Sequence, residues 1–177
     1  MNRSTCYLMY NTTRTGLAAE MYHFDMDLKT EERMNSKTTE ELHGIHEKPP
    51  KTNFEDMQTH IMNKYLLRPE TIESLYIMYV KTGNPVFRYS CIFMNLINRE
   101  WGWKIWSSIK RYCKRNYGFA DMHNVNEVRS GNDDRGETFF YSETMKYLYL
   151  LFSEDGINYV ENYVFNTEAH PIPLKKE

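Results

Sequence analysis

Three glutamates in this chain sit where their type and spacing could support chemistry. Glu70 and Glu73 belong to the block Leu67-Arg68-Pro69-Glu70-Thr71-Ile72-Glu73-Ser74. There Pro69, with its φ preset and no N–H to lose, opens a helix whose positive dipole end favours anions. Ordinary helix-start electrostatics accounts for both carboxylates. It does not account for Glu143. With residues 139 to 152 helical at about 100° per residue, Phe139, Phe140, Tyr147 and Leu150 all fall within roughly 60° of it. A carboxylate in the middle of an apolar arc has to be paired, protonated or part of a site, because an unpaired buried charge is too costly to keep.

The helix after Leu67 carries Ile72, Leu75, Tyr76, Tyr79 and Val80 on one stripe, with Glu73 at its border and Gly83 closing it. Asn84-Pro85 begins a second helical stretch that extends to about Arg115 and includes Trp101, Trp103 and Trp106. A polar loop from Asn126 to Gly136 precedes the helix of Glu143, which ends near Ser153. Asp155-Gly156 marks a turn, and Tyr163 to His170 reads as an extended tail ahead of Pro171 and Pro173. From Asp25 to His60 the chain is polar, contains Pro49-Pro50 and has no apolar period, so a long surface excursion with at most a short helix is expected. The architecture is several helices followed by a short strand or hairpin. The apolar arc around Glu143 covers more than half the helix circumference, which suits an element packed on both sides and a piece of something larger.

Composition narrows the function classes. The chain has 177 residues, 41% of them hydrophobic, enough for one ordinary domain and its core. A formal net charge of -2 gives no electrostatic reason to expect nucleic acid, and Lys110-Arg111 and Lys114-Arg115 read as a solvated helix face. No run approaches the roughly 18 apolar residues of a membrane span, and no signal-peptide segment opens the sequence. Cys6, Cys91 and Cys113 lack metal-ligand spacing and read as free thiols. His43 and His46 have no third ligand nearby. Asn132-Asp133-Asp134 lacks the glycine and terminal glutamate that an EF-hand loop requires in register.

Several blocks together resemble one family, the class I α-1,2-mannosidases of glycoside hydrolase family 47. They are Thr5-Cys6-Tyr7-Leu8-Met9-Tyr10 with Thr15-Gly16-Leu17, the Leu67 to Leu75 block, Thr82-Gly83, Glu100-Trp101-Gly102-Trp103, Phe139-Phe140 with Glu143-Thr144 and Lys146 to Phe152, and Val164-Phe165-Asn166-Thr167-Glu168-Ala169-His170-Pro171. The resemblance implies an all-α fold, the C-terminal portion of an (α/α)7 barrel, with a short C-terminal β-hairpin that plugs one end and reaches the base of a sugar pocket. It implies a calcium ion on the pocket floor, held by the carbonyl and hydroxyl of Thr167 and by many waters, as suits a hard cation. Glu143 and Glu168 match carboxylates that hold those waters and the sugar. Phe139 matches a ring that packs against mannose, Arg68 a side chain near the pocket, and Glu73 a member of the same carboxylate ring. Glu70 matches the general base of an inverting hydrolysis, in which water attacks the anomeric carbon opposite the leaving group.

The implied activity is removal of terminal α-1,2-linked mannose from high-mannose N-glycans on glycoproteins. The runner-up is a noncatalytic mannose-binding or quality-control module. Thr15-Gly16-Leu17, His23-Phe24, Thr71-Ile72-Glu73-Ser74 and Trp101-Gly102-Trp103 lean toward the endoplasmic reticulum type rather than the Golgi type. Residues 1–177 are read as the C-terminal part of a catalytic domain, without the family's general acid, its first barrel helices or its membrane anchor. Cys6 matches one half of a family disulfide whose partner lies upstream.

Two stretches depart from the pattern. Residues 25–60 match poorly, and Tyr89 to Arg99 intervene where the family runs straight into Glu100-Trp101-Gly102-Trp103. Eleven residues make nearly three turns, so the facing of the tryptophan block changes by about 20° while the helix grows by roughly 16 Å. A retained intron is the preferred reading, a true helix extension the alternative. Gly136 stands where the family usually has methionine. With a base but no partner acid, the 177-residue chain expressed alone is predicted to hydrolyse no Man-α-1,2-Man bond. Calcium-dependent release of mannose by that chain would refute the prediction.

Overall fold

The computed structural model of the chain describes residues 3–24, 58–82 and 88–175. They divide into a smaller unit, Glu20–Met62, and a larger one made of the remainder. In the smaller unit β1 (Met21–Phe24) pairs antiparallel with β2 (Gln58–Met62), Met21 opposite Met62 and Phe24 opposite Gln58. This hairpin corrects the excursion expected from Asp25 to His60 only at its end, where Gln58 to His60 are strand; residues 25–57 lie outside the described residues. Its arms of four and five residues are too short for a period-two signal to emerge from polar surroundings. His43, His46 and Pro49-Pro50 lie outside the described residues, as do Gly83 and Asn84-Pro85.

The larger unit is mainly helical. It runs α1 (Arg3–Asn11), α2 (Glu70–Thr82), α3 (Arg88–Tyr112), a two-residue hairpin of β3 (Lys114–Arg115) and β4 (Gly118–Phe119), and a wide π-helical turn (Phe140–Thr144). That turn continues into α4 (Met145–Phe152), followed by α5 (Gly156–Asn162) and an antiparallel hairpin of β5 (Tyr163–Phe165) and β6 (Pro171–Pro173). Among the described residues no helix is long and apolar enough to cross a membrane.

Helix α2 starts one residue after Pro69, whose carbonyl accepts the Glu73 N–H at 2.8 Å. Its predicted stripe is the buried face: Ile72, Leu75 and Tyr76 are sealed from solvent, and the Tyr76 hydroxyl donates to the Gly156 carbonyl at 2.7 Å. Burial of that phenol lifts its pKa to about 12. Helix α3 is unbroken for 25 residues, roughly 37 Å, so Tyr89 to Arg99 simply continue the helix that carries the tryptophans. It ends at Tyr112, short of the expected Arg115. Lys110-Arg111 is exposed on the helix as expected, whereas Lys114-Arg115 belongs to β3.

Trp101-Gly102-Trp103 divides its labour by side. The Trp101 ring stacks on Tyr7 of α1, centroids 4.2 Å apart, and Trp103 meets the edge of Phe152. Gly102 lets α3 approach α4, since a Cβ there would come within 2.5 Å of Leu151 Cδ2. The polar loop after Asn126 is irregular. In it Asp133 shares a hydrogen bond with His123 and takes an ion pair from Lys64 at 3.2 Å, which hold its carboxyl below the usual range. Asp155-Gly156 does more than turn the chain, because Gly156 is the first residue of α5.

Gly102→Val is expected to lower stability by roughly 1–3 kcal/mol through overpacking against Leu151. The check is the urea midpoint at unchanged m-value. A midpoint equal to that of the unsubstituted chain would show that α3 and α4 have room to spare.

Candidate active site

Glu143 lies within the π turn and is 8% exposed. The turn is defined by the Met145 N–H donating to the Phe140 carbonyl five residues back, one more than in an α-helix. Phe140 is sealed beneath it against Phe119, ring centroids 4.9 Å apart, and Tyr147 and Leu150 are buried beyond it. The apolar arc anticipated around this carboxylate is therefore present, although the π turn replaces uniform 100° spacing.

Three other carboxylates converge on Glu143 from two separate parts of the chain. Burial pushes its pKa up first, then the charges of Glu168 and Glu70, a hydrogen bond shared with Glu168, and the charge of Glu73. Each of these causes favours the protonated form of the Glu143 carboxyl over the charged one. Glu70 and Glu73 come from the first turn of α2, Glu70 exposed and Glu73 half-buried. Glu168 is exposed in the turn between β5 and β6. Thr167 precedes it in that turn, also exposed.

The turn is organised by Asn166. Its side-chain oxygen accepts the N–H groups of Glu168 at 3.0 Å and His170 at 2.8 Å, and its carbonyl accepts the Ala169 N–H. Beneath the hairpin, Phe165 packs edge-on against Tyr147 and stacks on Tyr159. Arg68 and Phe139 meet separately, the guanidinium lying 5.6 Å from the centre of a half-exposed ring.

Tyr147 is a member of this site that sequence reasoning placed in the core. Its hydroxyl donates to Glu73 Oε1 at 3.1 Å, and burial with the Glu73 charge raises its pKa. The phenol thus orients one carboxylate of the ring. Its position one α-turn after Glu143 was the available signal, masked by its equally good fit to the apolar arc. Two backbone features were also invisible. Leu67 and Ala169, which flank Arg68 and Glu168, have φ values of 61° and 54°, a conformation that costs a side-chain-bearing residue about 1–3 kcal/mol.

A surface of convergent carboxylates, one guanidinium, one half-exposed aromatic ring and no histidine or thiol among these groups suits a polyhydroxylated ligand or a hard cation. Among the described residues no three Asp, Glu, His or Cys side chains gather closely enough to hold a metal by themselves. Cys6 and Cys113 are both free thiols.

Comparison with known proteins agrees with this picture. Residues 2–174 match the sequence profile of Glycosyl hydrolase family 47, and the chain belongs to that family. It is 35% identical over 175 residues to a mannosyl-oligosaccharide 1,2-alpha-mannosidase of Arabidopsis thaliana, covering 97% of this chain and 24% of that protein. It is 37% identical over 173 residues to the endoplasmic reticulum mannosyl-oligosaccharide 1,2-alpha-mannosidase of Schizosaccharomyces pombe, covering 96% of this chain and 27% of that protein. The structure superposes on an alpha-1,2-mannosidase from Trichoderma reesei with a TM-score of 0.71 at 24% identity, over 98% of this chain and 33% of the other. The chain thus spans about a quarter of the length of these relatives and shares the fold of the matching third of the solved structure.

The raised pKa of Glu143 fixes the sign of a pH effect. A carboxyl that holds its proton more tightly when folded destabilises the fold as pH rises from the ordinary glutamate value, about 4.3, through the raised folded value, after which the loss is complete. Glu143→Gln is expected to flatten that segment of a plot of melting temperature against pH. An unchanged slope would mean that Glu143 is not proton-linked to folding.

Proposed function

We propose that this chain contributes the later part of the sugar cup of an inverting α-1,2-mannosidase, with terminal α-1,2-linked mannose of high-mannose N-glycans as substrate and the endoplasmic reticulum as its place of work. The observation that carries the reading is the convergence of Glu70, Glu73 and Glu168 on buried Glu143. Family membership and the mannosidase names of the relatives support it. The helical units would then be the C-terminal portion of an (α/α)7 barrel, residues 25–60 a divergent loop and residues 89–99 an insertion lengthening α3.

In this reading Glu70 is the general base. Its exposure at the start of α2 supports this role, since an exposed carboxylate can meet a water on its way to the anomeric carbon. Glu73, held by Tyr147, and Glu143 and Glu168 accept hydrogen bonds from sugar hydroxyls and ordered waters. Phe139 offers a ring face to the apolar side of the pyranose, with Arg68 beside it.

The donor set fits calcium. It is all oxygen, and burial followed by mutual repulsion lifts the Glu143 pKa, the second of which a cation relieves. Thr167 would hold the ion through its carbonyl and hydroxyl, with Glu143 and Glu168 acting through water. When bound, calcium would fix sugar hydroxyls and neutralise the acidic cup.

The test uses a protein of the full family length with α-1,2-mannobiose as substrate. Glu70→Gln is expected to lower turnover about 100-fold or more while changing mannobiose affinity little. Equal losses in turnover and affinity would remove Glu70 from the base role. Binding without turnover in the unsubstituted protein would favour a noncatalytic mannose-binding module.

A further inference from the structure

We infer that Thr144 and Lys146 are positioning residues of this cup, each pinning one strained backbone residue that borders a site side chain. The inference rests on the mannosidase reading and deepens it. Among the described residues, the non-glycine positions with positive φ are Leu67 and Ala169. Neither belongs to the residue types that adopt this conformation readily, so something must hold each in place. Leu67 directly precedes Arg68, and Ala169 directly follows Glu168.

Both carbonyls are caught from one short stretch of chain. Thr144 Oγ1 donates to the Leu67 carbonyl at 2.6 Å, fully sealed from solvent, and Lys146 Nζ donates to the Ala169 carbonyl at 2.6 Å. The residues on either side of these two hydrogen bonds include Glu143 itself. One stretch, 143 to 146, therefore supplies the buried carboxylate and also fixes the two segments that present Arg68, Glu70 and Glu73 on one side and Glu168 on the other. A structural hydrogen bond anywhere would add stability. These two act on the residues where the backbone would otherwise relax out of the left-handed region and carry the site groups with it.

The experiment uses the 177-residue chain. Thr144→Val keeps shape and removes one donor, Thr144→Ser restores it, and Lys146→Met removes the other. Amide hydrogen exchange is the first readout. Lys146→Met should speed exchange at Glu168, Ala169 and His170 by about tenfold or more and leave Glu73 nearly unchanged, with the reverse pattern for Thr144→Val and recovery in Thr144→Ser. The second readout is calorimetric binding of α-1,2-mannobiose in calcium chloride by a protein of the full family length carrying the same substitutions, expected to weaken about tenfold in both donor-deleted variants. Equal acceleration at every amide, or no local acceleration, overturns the proposal, as does unchanged binding despite local acceleration. If the unsubstituted protein of full family length binds no mannobiose, the mannosidase reading fails while the exchange pattern still decides whether the pins exist. Should Thr144→Val not fold, Lys146→Met decides the matter.

Discussion

The burial of Glu143 beside three other carboxylates is the constraint around which the larger unit is arranged. Left alone, four acidic groups facing one another would drive their segments apart. Here a phenol on Glu73 and the amides around Asn166 hold two of their segments in place. Apolar packing supplies the counterforce. Phe140 and Tyr147 are sealed on either side of Glu143, and Tyr76 and Phe165 close over Tyr147.

The acidic groups reach their places from segments far apart in sequence: the start of α2, the π turn, and the tip of the last hairpin. None of these segments can form the cup locally. Helix α4 is the common support, touching α2, α3 and α5. Gly102 sets how closely α3 lies against it. Anything that binds the assembled cup and not the unfolded chain would stabilise the whole unit by mass action.

Sequence reasoning recovered the elements whose signal is periodic or lexical. The α2 stripe of Ile72, Leu75 and Tyr76 is buried as its spacing dictated, and the hairpin around Asn166 stands where an extended tail was expected. The anomaly at Glu143 was visible because a carboxylate in an apolar arc has few physical explanations, and the charges of Glu168, Glu70 and Glu73 all act on it. The features that escaped share a common cause. The strands at Met21 and Gln58, the helix beginning at Gly156 and the left-handed residues Leu67 and Ala169 are set by contacts distant in sequence, which no local pattern encodes. Tyr147 escaped for a different reason. A buried tyrosine satisfies an apolar stripe with its ring while its hydroxyl does separate work.

The π turn at Phe140–Thr144 amounts to one residue inserted into an otherwise α-helical stretch. Because each residue of an α-helix advances the side-chain direction by about 100°, that single extra residue sets the phase between Phe139 and Glu143 on one side and α4 on the other. A relative shortened by one residue here could keep Leu148 and Leu151 in its core and still aim its carboxylate away from α2 and the hairpin. Where such a chain directs its carboxylate would then be decided by helical phase, with every acidic residue still present in its sequence.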